Sequence, residues 1–427
     1  MTAVQTSALD PSPACPAPAS NGAAHLDVER VRQDFPILNE MPYAKPLVYL
    51  DSAATSQKPQ AVIDAISGFC SRDNANVHQG VHYLSGRATE AHEGSRAKVR
   101  GFLNPAHAEE IVFAAGTTKA INLVARTYAR THLEKGDEVL ITAMEHHSNI
   151  VAWQMVCAER GAPLWVAPSA AAGELLLDEL ERLVGLRTPL VAVTHVSNVL
   201  GTVNPIRAIT EIARAWGRPR ARRRRPGRPT RRHRRVGPGL RLLRAVGPQD
   251  VRPRRHRRPL RPPRGARGDA PYQGGGDMIA SVSFEKAVYH RPPYKAGTPN
   301  LAGAVGLGAA LDFLGGLGHE ALAAHEHDVL AYGLWARSAL SGLRLIGTAP
   351  AKASAVSFVL DGVHPHDIAT IVDCHGVAIR TGHYCARPLL SRLGLSATAR
   401  ASLACHSTRR EIDALVVGLA TVQEAFR

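Results

Sequence analysis

The sequence predicts a parallel α/β sheet followed by a smaller α+β unit. Strand–turn–helix segments succeed one another between residues 110 and 216, and beyond residue 340 short strands alternate with single helices in a different rhythm. At 427 residues, 45% hydrophobic and 21% charged, the chain is long enough to bury two or three cores without disulfides.

Residues 1–24 are rich in Pro, Ala and Ser, lack an apolar period, and read as a disordered tail. The chain turns globular near Val28. Residues 110–113 read as a strand, 114–118 as a small-residue turn, and 119–130 as a helix with Ile121, Val124 and Tyr128 on one face. A second strand at 138–142 leads through 143–149 into a helix from Ile150 that ends near Gly161. A third strand at 190–195 precedes a helical pattern over 204–216. In the last third, 355–360 and 377–381 read as strands and 366–375 as a helix stopped by Gly376. A strand at 399–404 and an amphipathic helix over 409–426 complete the chain.

Composition excludes several function classes. The most apolar stretch, 297–318, is interrupted by Pro299, Asn300, Asp312 and repeated glycines, so no membrane span is expected. No basic segment followed by an apolar core opens the chain, so no secretory signal is expected. The six cysteines, at 15, 70, 157, 374, 385 and 405, form no C-x-x-C pair. That pattern points to the reducing cytoplasm and leaves room for one reactive thiol.

The formal charge of +16 suggests nucleic acid until it is located. Residues 218–270 hold 21 of the 52 basic residues and two of the 36 acidic ones, leaving 31 basic against 34 acidic residues elsewhere. The basic excess is therefore local. This block has nine prolines and no Ile, Phe, Tyr, Trp, Met or Cys, a composition that cannot build core strands. Yet it lies where the α/β pattern requires further strands.

Several strand ends carry polar groups. Ala115-Gly116-Thr117-Thr118 opens a helix and suits either a phosphate or a simple cap. His146 and His147 end the second strand, where an imidazole stacks on a planar ring, binds metal or merely packs. His195 and Asn198 end the third. Cys385, in a loop after a strand, is a nucleophile if nearby cations favour its thiolate, and otherwise an inert thiol of the kind expected at Cys70 and Cys157. Cys374, His375, His383 and Cys385 match no tight zinc spacing, and no metal is expected.

Taken together, these segments resemble the pyridoxal-phosphate (PLP) cysteine desulfurases of the Suf-type, group II branch, over residues 29–217 and 271–427. The motifs are Tyr49-Leu50-Asp51-Ser52-Ala53-Ala54, Asn76-Val77-His78 with Gly80-Val81-His82, Gly116-Thr117-Thr118 and Met144-Glu145-His146-His147. They continue with His195-Val196-Ser197-Asn198-Val199-Leu200-Gly201, Ala296-Gly297-Thr298-Pro299-Asn300, Arg380-Thr381-Gly382-His383, Cys385 and Arg400-Ala401-Ser402-Leu403. The short loop bearing Cys385 resembles group II. Gln79 stands where the family commonly has Arg.

The resemblance implies an α/β, PLP fold-type I, aminotransferase-like homodimer with a mixed, mostly parallel sheet. Its large PLP-binding domain would span 46–305, with 25–45 packing on a small α+β C-terminal domain at 306–427. Thr117 and Thr118 would bind the PLP phosphate, with Thr298 from the partner subunit. His146 would stack on the ring, and Asn198 would approach its hydroxyl. Arg400 and Arg380 would hold the carboxylate of L-cysteine, with His78 also at the substrate. Cys385 would take the sulfur, leaving alanine and a persulfide for a Suf acceptor protein in iron–sulfur cluster assembly. A selenocysteine lyase-like enzyme on the same scaffold is the alternative within enzymes. A PLP-free pseudoenzyme whose basic arm binds nucleic acid is the alternative outside them.

The basic block departs from the family, which there has V-D-G-A-Q, with an Asp for the pyridinium nitrogen, and S-G-H-K, with the Lys that holds PLP covalently. Codon degeneracy accounts for this. Read one base later, Arg220–Arg228 can encode V-L-V-D-G-A-Q-A-A, and Gly247–Pro253 can encode G-H-K-M-Y-G-P. Both recoveries use one offset, placing Asp at codon 223, Gln at 226 and Lys at 249. Residues 218–270 therefore read as an out-of-frame segment between two compensating indels. As written, with Gln249 at the lysine position, the polypeptide is expected to be inactive.

Overall fold

The computed structural model describes residues 26–78, 80–105, 107–216, 241–242, 271–274, 278–289, 296–336 and 340–427. The expected tail at 1–24, Gln79 and codons 223, 226 and 249 lie outside the described residues.

The N-terminal part runs through α1 (Val28–Gln33), β1 (Val48–Tyr49), α2 (Gln60–Arg72), α3 (Tyr83–Leu103), α4 (Thr117–Val124) and α5 (Arg130–His132). Next come β2 (Val139–Thr142), α6 (Ser148–Arg160), β3 (Leu164–Ala167), α7 (Leu177–Leu183), β4 (Leu190–Ala192), α8 (Ile206–Trp216) and β5 (Arg241–Leu242). Strands β3-β2-β4-β5 form one parallel sheet in that order. Every residue of β2 and β4 is buried, as expected of parallel strands covered on both faces. Their alternate side chains feed two cores: Leu140 and Val191 on one side, Val139, Ile141, Leu190 and Ala192 on the other. Gly161 ends α6 in the left-handed region, φ 64°, where a Cβ would be strained.

Beyond the hairpin β6 (Ile279–Val282) and β7 (Ala287–Tyr289), α9 (Leu301–Leu317) packs on α2 and α3, and α10 (His319–Ala336) follows. The C-terminal sheet pairs β8 (Leu343–Ile346), β9 (Ala355–Leu360), β12 (Thr398–Ser402) and β11 (Arg380–Gly382), all antiparallel. Helices α11 (Pro365–Asp373) and α13 (Arg409–Ala425) cover it; α12 (Arg387–Arg392) lies beyond β11. Strand β10 (Val377–Ala378) pairs parallel with β1, so Val48 and Leu50 are buried in this C-terminal core. Phe35 and Val31 bury against Ala321, Leu322 and Cys405. No single helix among the described residues is long and apolar enough to cross a membrane.

Four local expectations change. Residues 110–113 are not a strand: a 3-10 turn (Ala108–Glu110) leads out, and the Ile111 carbonyl accepts from Arg96 Nη1 at 2.5 Å. The helix expected over 119–130 begins at Thr117 and is interrupted by a π-helical turn (Ala125–Ala129) before α5. The strand expected at 190–195 stops at Ala192, and Thr194 N–H turns to the carboxylate of Glu145 at 2.9 Å. The strand expected at 377–381 is two, because β10 pairs with β1 and β11 with β12.

Candidate active site

The carboxyl end of β2 is organised by a residue the sequence reading passed over. Glu145, 1% exposed, accepts from Thr142 Oγ1 at 2.5 Å, Asn149 Nδ2 at 2.7 Å and the Thr194 amide. Asn149 in turn accepts from Trp153 Nε1 at 2.9 Å. One carboxylate thus ties β2, the first turn of α6 and the end of β4. His146, the next residue, is half-buried, and its Nδ1 accepts the Ser148 amide at 3.1 Å. The proton of the neutral ring is then on Nε2. Burial, with the neighbouring His147, holds His146 below the usual histidine pKa.

Burial also pushes the Glu145 pKa from 4.5 up to about 7, against the three hydrogen bonds. The unfolded chain releases this proton near 4.5 and the folded one near 7, so stability falls as pH rises through that window and levels off above it. The loss is about 3 kcal/mol. Denaturation at pH 5 and pH 8 checks this: Glu145→Gln is expected to remove most of the difference.

The loop after β11 closes over this strand end. Tyr384 and Cys385 are consecutive non-glycine residues in the left-handed region, φ 46° and 54°. His147 N–H donates to the Cys385 carbonyl at 2.6 Å, and Asn198 Nδ2 to the Tyr384 carbonyl at 2.9 Å. Arg387 N–H donates to His147 Nε2 at 3.1 Å, and Cys385 N–H to His383 Nδ1 at 3.1 Å. The Tyr384 hydroxyl donates to the Thr398 carbonyl, with the Arg380 carbonyl also close to it at 3.1 Å. The strained loop is therefore clamped from both sheets while the Cys385 residue stays exposed.

Beneath it, Asp51 joins the two arginines. Arg380 Nε and Nη2 reach its carboxylate at 2.9 and 2.7 Å, and Arg400 Nη2 at 3.1 Å. Arg400 also donates from Nη1 to the Asn198 carbonyl at 2.8 Å, and its guanidinium lies over the Tyr384 ring at 4.6 Å. Its side chain is only 2% exposed and its Nε lacks a partner among the described residues, whereas that of Arg380 is 48% exposed. Asp51→Ala would leave a buried guanidinium short of its counter-charge. Denaturant titration should show a loss of about 3–5 kcal/mol, against a much smaller loss for Arg380→Ala.

The structure thus assembles His146, Asn198, Arg380, Arg400 and Cys385. Thr117 and Thr118 stand on the first turn of α4, half-buried and exposed respectively, and no side chain caps that helix at Gly116. A Cβ built on Gly116 meets nothing within 4 Å, so the approach to these amides and hydroxyls is open. Thr298 is exposed before α9, and His78 lies before α3 at φ 70°. An open helix terminus with two hydroxyls, an imidazole at a strand end and a buried guanidinium with a spare donor suit a phosphorylated, planar, anionic cofactor. The covalent lysine and the ring-nitrogen acid would have to come from positions outside the described residues. Glu145, Asp51 and Tyr384 were missed as individual functional residues. The available signal for each acid was its place at the end of an apolar strand, where an unpaired charge is costly.

The class-V aminotransferase family model matches residues 48–218 and 265–415. The chain belongs to the class-V aminotransferase family. Its fold is the PLP fold-type I architecture of that family, with a mixed, mostly parallel sheet. The unmatched interval falls within the basic block. A cysteine desulfurase of Synechococcus elongatus is 43% identical over 406 residues, covering 95% of this family member and 65% of the relative. The chain thus spans just under two thirds of that protein. A probable cysteine desulfurase of Halalkalibacterium halodurans is 41% identical over 412 residues, covering 94% of this chain and 99% of the relative. Among solved structures, the apo cysteine desulfurase of Thermococcus onnurineus aligns with a TM-score of 0.80 at 28% identity, over 94% of this chain and 99% of that one.

Proposed function

We propose that the chain descends from a Suf-type cysteine desulfurase converting L-cysteine to L-alanine, with sulfur leaving as an enzyme persulfide. The observation that carries this reading is Cys385, held exposed on a strained loop beside His146, Asn198, Arg380 and Arg400. When bound, PLP supplies the electron sink that weakens the substrate carbon–sulfur bond. Thr117 and Thr118 would hold its phosphate, together with Thr298 from a second copy in a homodimer, and His146 would stand against the ring. Arg380, the accessible guanidinium, receives the substrate carboxylate, and Arg400 fixes the loop behind it. The Cys385 thiolate forms the new sulfur–sulfur bond as the carbon–sulfur bond breaks, and alanine departs. A Suf acceptor protein then takes the sulfur for iron–sulfur cluster assembly in the cytoplasm.

In the same reading, residues 218–270 are translated out of frame, and the chain as written lacks the lysine and aspartate that complete the site. Supporting this are the shared codon offset and the family match on both sides of the block. Sequencing codons 210–280 tests the frame, with two compensating indels as the expected result. Assaying alanine and persulfide formation from L-cysteine by the restored chain tests the activity. Failure of the restored, folded protein to form either would overturn the assignment.

A further inference from the structure

The loop before α3 and the middle of that helix bring together three groups that the proposed desulfurase chemistry does not use as a set. One ring nitrogen from each of His78 and His92 and a Glu93 carboxylate oxygen all lie within 4.8 Å of one another. His92 is 2% exposed, and its Nε2 has no hydrogen-bond partner among the described residues. Leaving a nitrogen of a buried imidazole unmatched is costly, and the Glu93 carboxylate beside Nδ1 gives the ring a partner that a cation could share. Its Nδ1 faces Glu93 Oε1 at 3.2 Å, and His78 Nε2 stands 4.0 Å from the same oxygen.

The second Glu93 oxygen is already committed. Arg96 Nε donates to Oε2 at 2.9 Å, and Arg96 Nη1 is anchored on the Ile111 carbonyl. This divides the carboxylate, with Oε2 oriented by Arg96 and Oε1 turned towards the two imidazoles. Such outer hydrogen bonds are what orient a ligating carboxylate. The far edge of the His92 ring is fixed by Phe113, ring centroids 5.2 Å apart.

We propose that His78, His92 and Glu93 form a binding site for a divalent cation of the zinc class, with two imidazole nitrogens, one carboxylate oxygen and an open fourth position. Two nitrogens and one oxygen suit zinc rather than magnesium or calcium, which take oxygen sets. Tetrahedral bonds of about 2 Å place ligand atoms about 3.3 Å apart. The His92–Glu93 pair already has that spacing, and His78, with a side chain 35% exposed, needs to close on the Glu93 oxygen by less than about 1 Å. An ion there would pin the loop before α3 to the helix. The expectation of no metal rested on Cys374, His375, His383 and Cys385. His78 and His92 are fourteen residues apart and meet only because the loop folds back on α3.

The test uses the full, tag-free chain as written, titrated with Zn2+ by calorimetry and with Co2+ by absorption. The expected result is one ion per chain at this site, with cobalt ligand-field bands and no sulfur-to-metal charge transfer from it. His92→Phe, which keeps a ring against Phe113, and His78→Ala at the more exposed ligand should each weaken this binding at least about 100-fold. Cys385→Ser should leave it within threefold, separating it from any ion taken up by the Cys385 loop. Circular dichroism of the metal-free variants distinguishes a lost ligand from a lost fold. Folded His92→Phe and His78→Ala proteins that bind Zn2+ as tightly as the parent, or a cobalt spectrum that shows only thiolate ligation, would overturn the proposal.

Discussion

Replacing residues 218–270 with the segment read one base later is expected to raise desulfurase turnover by about 10³-fold or more over the chain as written. The gain follows from chemistry and from folding together. Acid–base catalysis by one positioned group is worth about 10²–10⁴-fold, and the restored Lys at position 249 supplies both that group and covalent tethering of the cofactor. The restored Asp at 223 adds charge at the ring nitrogen. The restored segment also exchanges a stretch with 21 arginines and nine prolines for strand-forming residues beside β4, which among the described residues pairs on that side with the two residues of β5. Three readouts check this independently: the visible absorbance of protein-bound PLP, the thermal midpoint, and alanine formed per minute. A single change at Gln249→Lys within the unrestored segment is expected to recover little, because its neighbours would still lack the strand that carries it.

Cys385→Ser in the restored chain is the second large effect. Turnover should fall by about 10³-fold or more, with cofactor absorbance and stability unchanged. A hydroxyl at this position is a far weaker nucleophile towards sulfur than a thiolate, whereas the loop is held by backbone groups that the substitution leaves alone. His147 N–H donates to the residue 385 carbonyl, and the residue 385 amide donates to His383, whichever side chain is present. With radiolabelled L-cysteine, the parent retains sulfur on the protein until an acceptor thiol is added, and the serine variant retains none. Retention by the variant at the parental level would move the nucleophile elsewhere, for example to the exposed Cys374.

Much of this architecture was legible from local pattern. The buried runs at β2 and β4, Gly161 closing α6 and the amphipathic helix α13 all rest on patterns within a few residues. The reactive loop was locatable because Cys385 follows a strand inside a dense run of polar residues. What periodicity could not show was which partner each short strand would take. Residues 377–381 look like one strand, yet Ile379 passes between two sheets because β1 and β12 compete for the same stretch of backbone. Likewise 110–113 has strand composition, but the Arg96 guanidinium takes the Ile111 carbonyl.

The amino-acid sequence by itself determined the fold class, the family motifs, the order of the candidate groups and the unusual composition of residues 218–270. These depend on residue type and spacing, both one-dimensional. Only the tertiary structure decided that Asp51 binds Arg380 and Arg400 together, that Glu145 fastens three elements from inside the sheet, and that His78 and His92 face one carboxylate oxygen. Each is a contact of charged or titratable groups whose strength depends on burial and on a few ångströms of separation, and neither quantity exists until the chain is packed.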